Sequence, residues 1–306
     1  MTSPVSAHSV DEFVFSVPDL EQARHFYTSF GLDVRDEDGG VGLYTASRSD
    51  RWAHIVAGTR KRLLWVTFGI SDGDVDAFER HLDASGIACV APPAGAPADG
   101  IWVITPDGLP VCLRVAPKTS PTVKSPRSFA PERSAAGRAP QRSQITLVRP
   151  RHLSHILLFT SDVNRSVDFF VEVFGLKLSD RSADIVAFLH SPQGSDHHLI
   201  AFAKSVGYGL HHSSWDVGSF DDVGIGSQQM ADAGYRHGWG IGRHVLGSNY
   251  FRYVRDPWGS YAEYSFDIDH IPAGMVWPAG DYPPEDSLYA WGPDLPVEFI
   301  DNREID

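Results

Sequence analysis

Apolar positions along the chain gather into strand-length runs, each followed by a stretch in which they recur at helical spacing. Near the start, Glu12-Phe-Val-Phe-Ser-Val predicts a strand, and Asp19-Leu-Glu-Gln-Ala-Arg-His-Phe26-Tyr-Thr-Ser-Phe-Gly31 a helix with an acidic cap and a closing glycine. His155-Ile-Leu-Leu-Phe-Thr and Asp162-Val-Asn-Arg-Ser-Val-Asp-Phe-Phe170-Val-Glu-Val-Phe-Gly175 repeat that arrangement. Strand-like pieces follow, Ile185-Val-Ala-Phe-Leu and His198-Leu-Ile-Ala-Phe-Ala. A second kind of unit also recurs. Leu63-Leu-Trp-Val-Thr-Phe-Gly-Ile leads into a helix from Asp74 to Gly86, and His212-Ser-Ser-Trp-Asp-Val into one from Asp221 to Gly234. Each ends in a turn and a strand: Thr105-Pro-Asp-Gly108 before Cys112, and Asp256-Pro-Trp-Gly259 before Glu263. The pattern predicts an α+β chain of four strand–helix–strands units, paired two and two, because a single unit would leave strand edges bare.

Between the pairs the pattern stops. Residues 119–148 are rich in Pro, Ser and Arg and read as a solvated interdomain linker rather than a binding site. The expected division is 1–118 as an N-terminal domain without a metal site, 119–148 as linker, 149–270 as the C-terminal domain with the active site, and 271–306 as a tail.

Composition narrows the function. At 42% hydrophobic residues the 306-residue chain can bury a sizeable core. A formal net charge of −13 argues against nucleic-acid and anionic-membrane partners, which need clustered Lys and Arg. Only Cys89 and Cys112 are present, so no disulfide framework is expected and a reducing cytoplasm is the simpler setting. No secretion signal and no membrane-spanning run is read. A homo-oligomer is expected.

The two halves differ in chemistry. His155 stands where the first half has Asp11 or Glu12, His212 where Lys61–Ile70 has no histidine, and Glu263 where the first half has Cys112. Each residue alone reads as an ordinary cap or surface group. Together, at equivalent places in paired units, they make the two-imidazole, one-carboxylate set that holds non-haem Fe(II) and leaves positions open. His211 competes with His212, and strand alternation predicts that only one of the two points inward. His198 is equally a strand-end histidine or an acid/base group beside a metal. His244 could simply close a glycine-rich loop, and Tyr253 could be a core tyrosine. Trp215, Trp239, Phe251 and Arg252 are further candidates for a pocket wall.

The run Gly242-Arg-His244, a spacer, Arg252-Tyr253-Val-Arg-Asp256-Pro-Trp-Gly259-Ser-Tyr-Ala-Glu263 resembles the signature of the type I extradiol ring-cleaving dioxygenases of the vicinal-oxygen-chelate superfamily. Arg252 departs from that signature, standing where an apolar residue is usual. The resemblance implies four βαβββ modules in two barrel-like domains, with the active site in the C-terminal one. It implies His155, His212 and Glu263 as ligands of Fe(II), a set that also suits Mn(II). It implies His198 as the acid/base, His244 and Tyr253 as hydrogen-bonding partners of the substrate, and a tail that closes over the pocket. The substrates implied are a catecholic diol and O2, and the product a yellow muconic-semialdehyde-type acid of aromatic degradation. A glyoxalase-like isomerase or a non-enzymatic drug-binding protein of the same fold is the alternative. Neither accounts for the triad together with His198, His244 and Tyr253.

Overall fold

The computed structural model describes residues 5–128 and 139–305. The two predicted caps form as the sequence requires. Asp19 accepts from the Gln22 amide at the head of helix Leu20–Phe30, and Asp162 from the Arg165 amide at the head of Val163–Phe174. Both helices close on a left-handed glycine, Gly31 at φ 100° and Gly175 at φ 64°. Each glycine is also a point of close approach to a distant part of the chain. A Cβ on Gly31 would sit 2.1 Å from the Val148 carbonyl oxygen, and one on Gly175 2.1 Å from that of Val5.

Two mixed sheets carry the strands. The first has seven strands, with Ser9–Val17 between Arg48–Ala57, to which it runs parallel, and Arg62–Ile70, to which it runs antiparallel. The second has ten. Its middle repeats the scheme: His152–Thr160 lies parallel to Ile200–Lys204 and antiparallel to Gly209–Asp216. Gly209–Asp216 then pairs in parallel with Tyr261–Phe266, which pairs antiparallel with Tyr250–Arg255. The tail extends both edges of this sheet, with Gly280–Asp281 at one end and Tyr289–Trp291 at the other. No helix among the described residues is long and apolar enough to cross a membrane.

One apolar core runs through both halves. Phe30 stacks on Tyr264 with ring centroids 3.9 Å apart, and Phe68 meets Phe174 at 4.8 Å. The described part of the Pro/Ser/Arg segment is tied down. The Thr119 and Ser120 amides donate to the Ser9 hydroxyl, and Lys124 and Arg127 pair with Asp267.

The tail is anchored by a buried ion pair that bridges the halves. Lys61 Nζ lies 3.1 Å from Glu304 Oε1 and also donates to the Ser260 hydroxyl. Glu304 in turn accepts from the amides of Leu63, at 2.6 Å, and Leu210, at 3.1 Å. Removing one partner of a buried pair leaves an uncompensated charge. Lys61→Met should therefore lower the unfolding free energy by about 3 kcal/mol, read from urea denaturation.

Candidate metal centre and its cavity

The site is a product of strand register. Ser214 lies opposite His155 on one side and opposite Glu263 on the other, and Glu263 lies opposite Tyr253. Directly paired residues share a sheet face, and so do residues two apart on one strand. His155, His212, Glu263 and Tyr253 therefore project from one face of four adjacent strands. His155 Nε2 is 3.4 Å and His212 Nε2 3.6 Å from Glu263 Oε2. One ligand atom from each of the three residues lies within 4.8 Å of the others. The two histidines are interior to their strands, not at the starts expected from sequence.

All three groups are buried, Glu263 completely. His212 Nε2 and Glu263 Oε2 have no hydrogen-bond partner. Such atoms cost roughly 1–3 kcal/mol each when nothing meets them. A divalent cation would meet both, so the donor set fits the metal that the sequence implied.

Proton placement fits as well. The His211 Nε2–H donates to the Phe299 carbonyl at 2.8 Å, so a neutral His211 presents a bare Nδ1. His212 Nδ1, 2.6 Å away, must then be the donor, which leaves the His212 Nε2 lone pair facing inward. His155 Nδ1 is 3.3 Å from the Ser154 hydroxyl, which donates to Asp196 at 2.8 Å, so His155 Nε2 is also left bare. Outer partners of this kind fix ligand tautomer and orientation. Asn249 donates to Glu263 Oε1 at 3.1 Å.

Charge follows the same logic. Burial and the imidazoles of His211, His155 and His244 hold His212 well below its ordinary range. Burial pushes the Glu263 carboxyl up, but the closeness of His155 and His244 outweighs it, and Glu263 ends below its ordinary value. Neutral imidazoles and an ionised carboxylate are the forms that ligate a metal.

The remaining predicted residues gather at the same place. His198 packs its ring 4.0 Å from that of His155. Burial, then the neighbouring imidazoles, hold it well below its usual range. His244 donates through Nδ1 to the Leu288 carbonyl at 2.7 Å and accepts at Nε2 from the Tyr253 hydroxyl at 2.9 Å. Burial, then Glu263, holds the Tyr253 phenol protonated, with a pKa well above its usual value. These residues line a cavity of about 70 Å³ with Leu157, Val186, Phe188, Leu246, Leu288 and Phe299.

Three sequence expectations are corrected. Alternation fails at His211, because a bulge between Leu210 and His212 adds a residue to the strand. His211 and His212 consequently both reach the cavity, while the metal group holds His212 alone. Arg252 does not approach the pocket. It lies on the strand face opposite Tyr253 and donates to the carbonyls of Gly240 and Arg236. Of the four wall candidates only Trp239 lines the cavity; Trp215, Phe251 and Arg252 do not. Sequence reasoning missed Asn249 and Phe299, and weighed His211 only as a competitor of His212. The adjacent histidines were visible as a pair, but nothing marked Asn249 or Phe299.

Strand register also shows what the first half places at the corresponding positions. Glu12, Trp65 and Cys112 occupy the positions of His155, His212 and Glu263, and Trp102 that of Tyr253. Trp65, Trp102 and Cys112 pack together as a small core with Val14. Glu12 is spent on Arg51.

Residues 9–113 and 152–264 match the Glyoxalase/Bleomycin resistance protein/Dioxygenase superfamily. The chain belongs to that superfamily, and within it to the extradiol dioxygenases that its sequence resembles. It is 49% identical to metapyrocatechase 2 of Cupriavidus necator over 98% of this chain and 93% of that protein. Among solved structures, the Mn(II)-bound glyoxalase of Novosphingobium aromaticivorans shares the fold with a TM-score of 0.75 at 24% identity, over 96% of this chain and 94% of that one. An extradiol ring-cleaving dioxygenase of B. fuscum matches at a TM-score of 0.75 and 17% identity, over 97% of this chain and 82% of its own.

Asp196, behind His155, offers a check on this electrostatic arrangement. Burial and the nearby Asp216 push its carboxyl up to about 8. An unfolded Asp titrates near 3.9, so between about pH 4 and 8 the folded state holds a proton that the unfolded state releases. Stability then falls as pH rises through that window. In the metal-free protein, Asp196→Asn should gain on the wild type from pH 5 to 8, by up to about 1.4 kcal/mol per pH unit, in urea melts at stepped pH.

Proposed function

We propose that this enzyme opens the ring of a catecholic diol beside the two hydroxyls, using O2 and an Fe(II) held by His155, His212 and Glu263, and releases a muconic-semialdehyde-type product. The observation that carries the reading is the unpartnered inward face of the triad, with His198, His244 and Tyr253 around one small apolar cavity. The metapyrocatechase relative supports it. The ligand set alone suits Mn(II) as well as Fe(II).

When bound, the metal would supply adjacent open positions for the diol oxygens and O2, and a path for charge between them. The side chains do the rest. His198, with Nδ1 engaged outward, offers Nε2 to take up a diol proton and return it later in the reaction. Tyr253 keeps its proton and, backed by His244, can donate to a ring oxygen that gains charge. Leu157, Phe188, Leu246 and Phe299 shut out water and clamp a flat ring.

The cavity also points to the kind of catechol. At about 70 Å³ it has room for roughly five to seven waters, which suits a single ring. Among the residues lining it there is no Arg or Lys to meet a carboxylate substituent. The reading is of an uncharged monocyclic catechol. It is also of a cytoplasmic enzyme, which suits the unlinked Cys89 and Cys112.

Loading with Fe(II) under nitrogen, followed by catechols in air, should give O2 uptake and a yellow product. His155→Ala should lose iron. His198→Ala should keep iron while kcat falls by about 100-fold or more. Catechol and methylcatechols should exceed carboxylated catechols in kcat/KM by more than about 10-fold, because a buried unpaired charge is costly. Iron-loaded protein that consumes no O2 with any catechol would reject the proposal.

A further inference from the structure

The ring of His198 is held from behind. Its Nδ1 lies 3.0 Å from Nδ1 of His197, whose Nε2 lies 2.8 Å from Asp180 Oδ2. His197 is wholly buried, and Asp180 nearly so. The carboxylate is pinned in turn by the tail: the Gly280 amide donates to Oδ1 at 2.7 Å and the Trp277 indole to Oδ2 at 3.3 Å. His197 is also fixed through its backbone, its amide donating to the Asp269 carbonyl at 2.6 Å and its carbonyl accepting from the Ser179 hydroxyl.

Hydrogen-bond roles along this chain are dictated from its far end. An ionised carboxylate only accepts, so His197 Nε2 carries a proton. A neutral His197 then has a bare Nδ1, and the short Nδ1–Nδ1 approach requires His198 Nδ1 to be the donor. His198 is thereby left with its Nε2 lone pair toward the cavity. Phe188, 4.8 Å from the His198 ring centre, and His155, at 4.0 Å, close its two sides.

We propose that Asp180 and His197 are positioning residues for ring cleavage, acting in series to hold His198 in the tautomer that turns a bare Nε2 to the substrate. The proposal rests on the extradiol reading for its role in turnover, but its structural content can be measured without turnover.

The isosteric Asp180→Asn variant is the test. The Gly280 amide makes the shorter bond and needs an acceptor at Oδ1, so the new amide nitrogen faces His197 and donates to it, and the Trp277 indole loses its longer bond. His197 Nε2 becomes the acceptor and its Nδ1 the donor. His198 Nδ1 must then accept, and its proton moves to Nε2. Long-range 1H–15N correlation spectra of the full chain, histidine-labelled and loaded with diamagnetic Zn(II), report each tautomer. The wild type should show His198 protonated at Nδ1 and Asp180→Asn should show it protonated at Nε2. In Fe(II)-loaded protein, Asp180→Asn should lower kcat by about 10- to 100-fold, with iron content and the KM for catechol within about 2-fold of wild type.

His197→Asn supplies the control. Its side-chain oxygen can still accept from His198 Nδ1, so most of kcat should return. Adding Asp180→Asn to that background should then have no further effect. A wild-type His198 already protonated at Nε2, an Asp180→Asn variant with unchanged tautomer or unchanged kcat, or additive losses in the double variant would overturn the proposal. Absent turnover with every catechol would count against the extradiol reading alone, since the tautomer spectra stand without it.

Discussion

Everything at the centre of this molecule depends on the register of one strand, Gly209–Asp216. Ser214 must lie opposite His155 on one side and Glu263 on the other, with His212 two residues back on the same face. A slip of one residue against either neighbour would send a ligand to the opposite face of the sheet. That register is held by apolar residues of both halves and by the bulge ahead of His212, which absorbs the extra His211. The bulged residue then has a role of its own, since His211 sets the proton on its neighbour through the Phe299 carbonyl.

The same device recurs around the cavity. Each inward imidazole has its Nδ1 committed to something fixed: His155 to Ser154 and Asp196, His212 to His211, His244 to the Leu288 carbonyl, His198 to His197. All of these outward partners but Leu288 are buried, so they are shielded from competing water. A cavity assembled this way is prepared for a cation before one arrives, at the cost of leaving lone pairs and a carboxylate oxygen unmet.

Much of this was legible in the chain. Helix caps at Asp19 and Asp162, closing glycines and repeated apolar runs carry local physics that tertiary packing did not override. Comparison of the repeats singled out His155, His212 and Glu263, which the fold brings together, because a duplicated scaffold makes an unduplicated candidate ligand conspicuous. The rest failed for identifiable reasons. Strand parity cannot foresee a bulge, so His211 was set aside. Arg252 was suspected of approaching the substrate because sequence spacing does not say which face of a strand is wet. Phe299 and Leu288 come from a tail without periodicity, which the Tyr289–Trp291 strand and the Lys61–Glu304 pair bring across the site.

The first half shows what the scaffold becomes when no cation has to be accommodated. Trp65 and Trp102 fill the space that the other copy keeps open, and apolar burial there stabilises the shared core. The tandem arrangement thus divides labour between a dense copy that lends rigidity and a hollow copy that spends it. Installing histidines at Glu12 and Trp65 and a carboxylate at Cys112 would not create a twin centre, because the Trp102 indole would still occupy the volume a guest molecule requires.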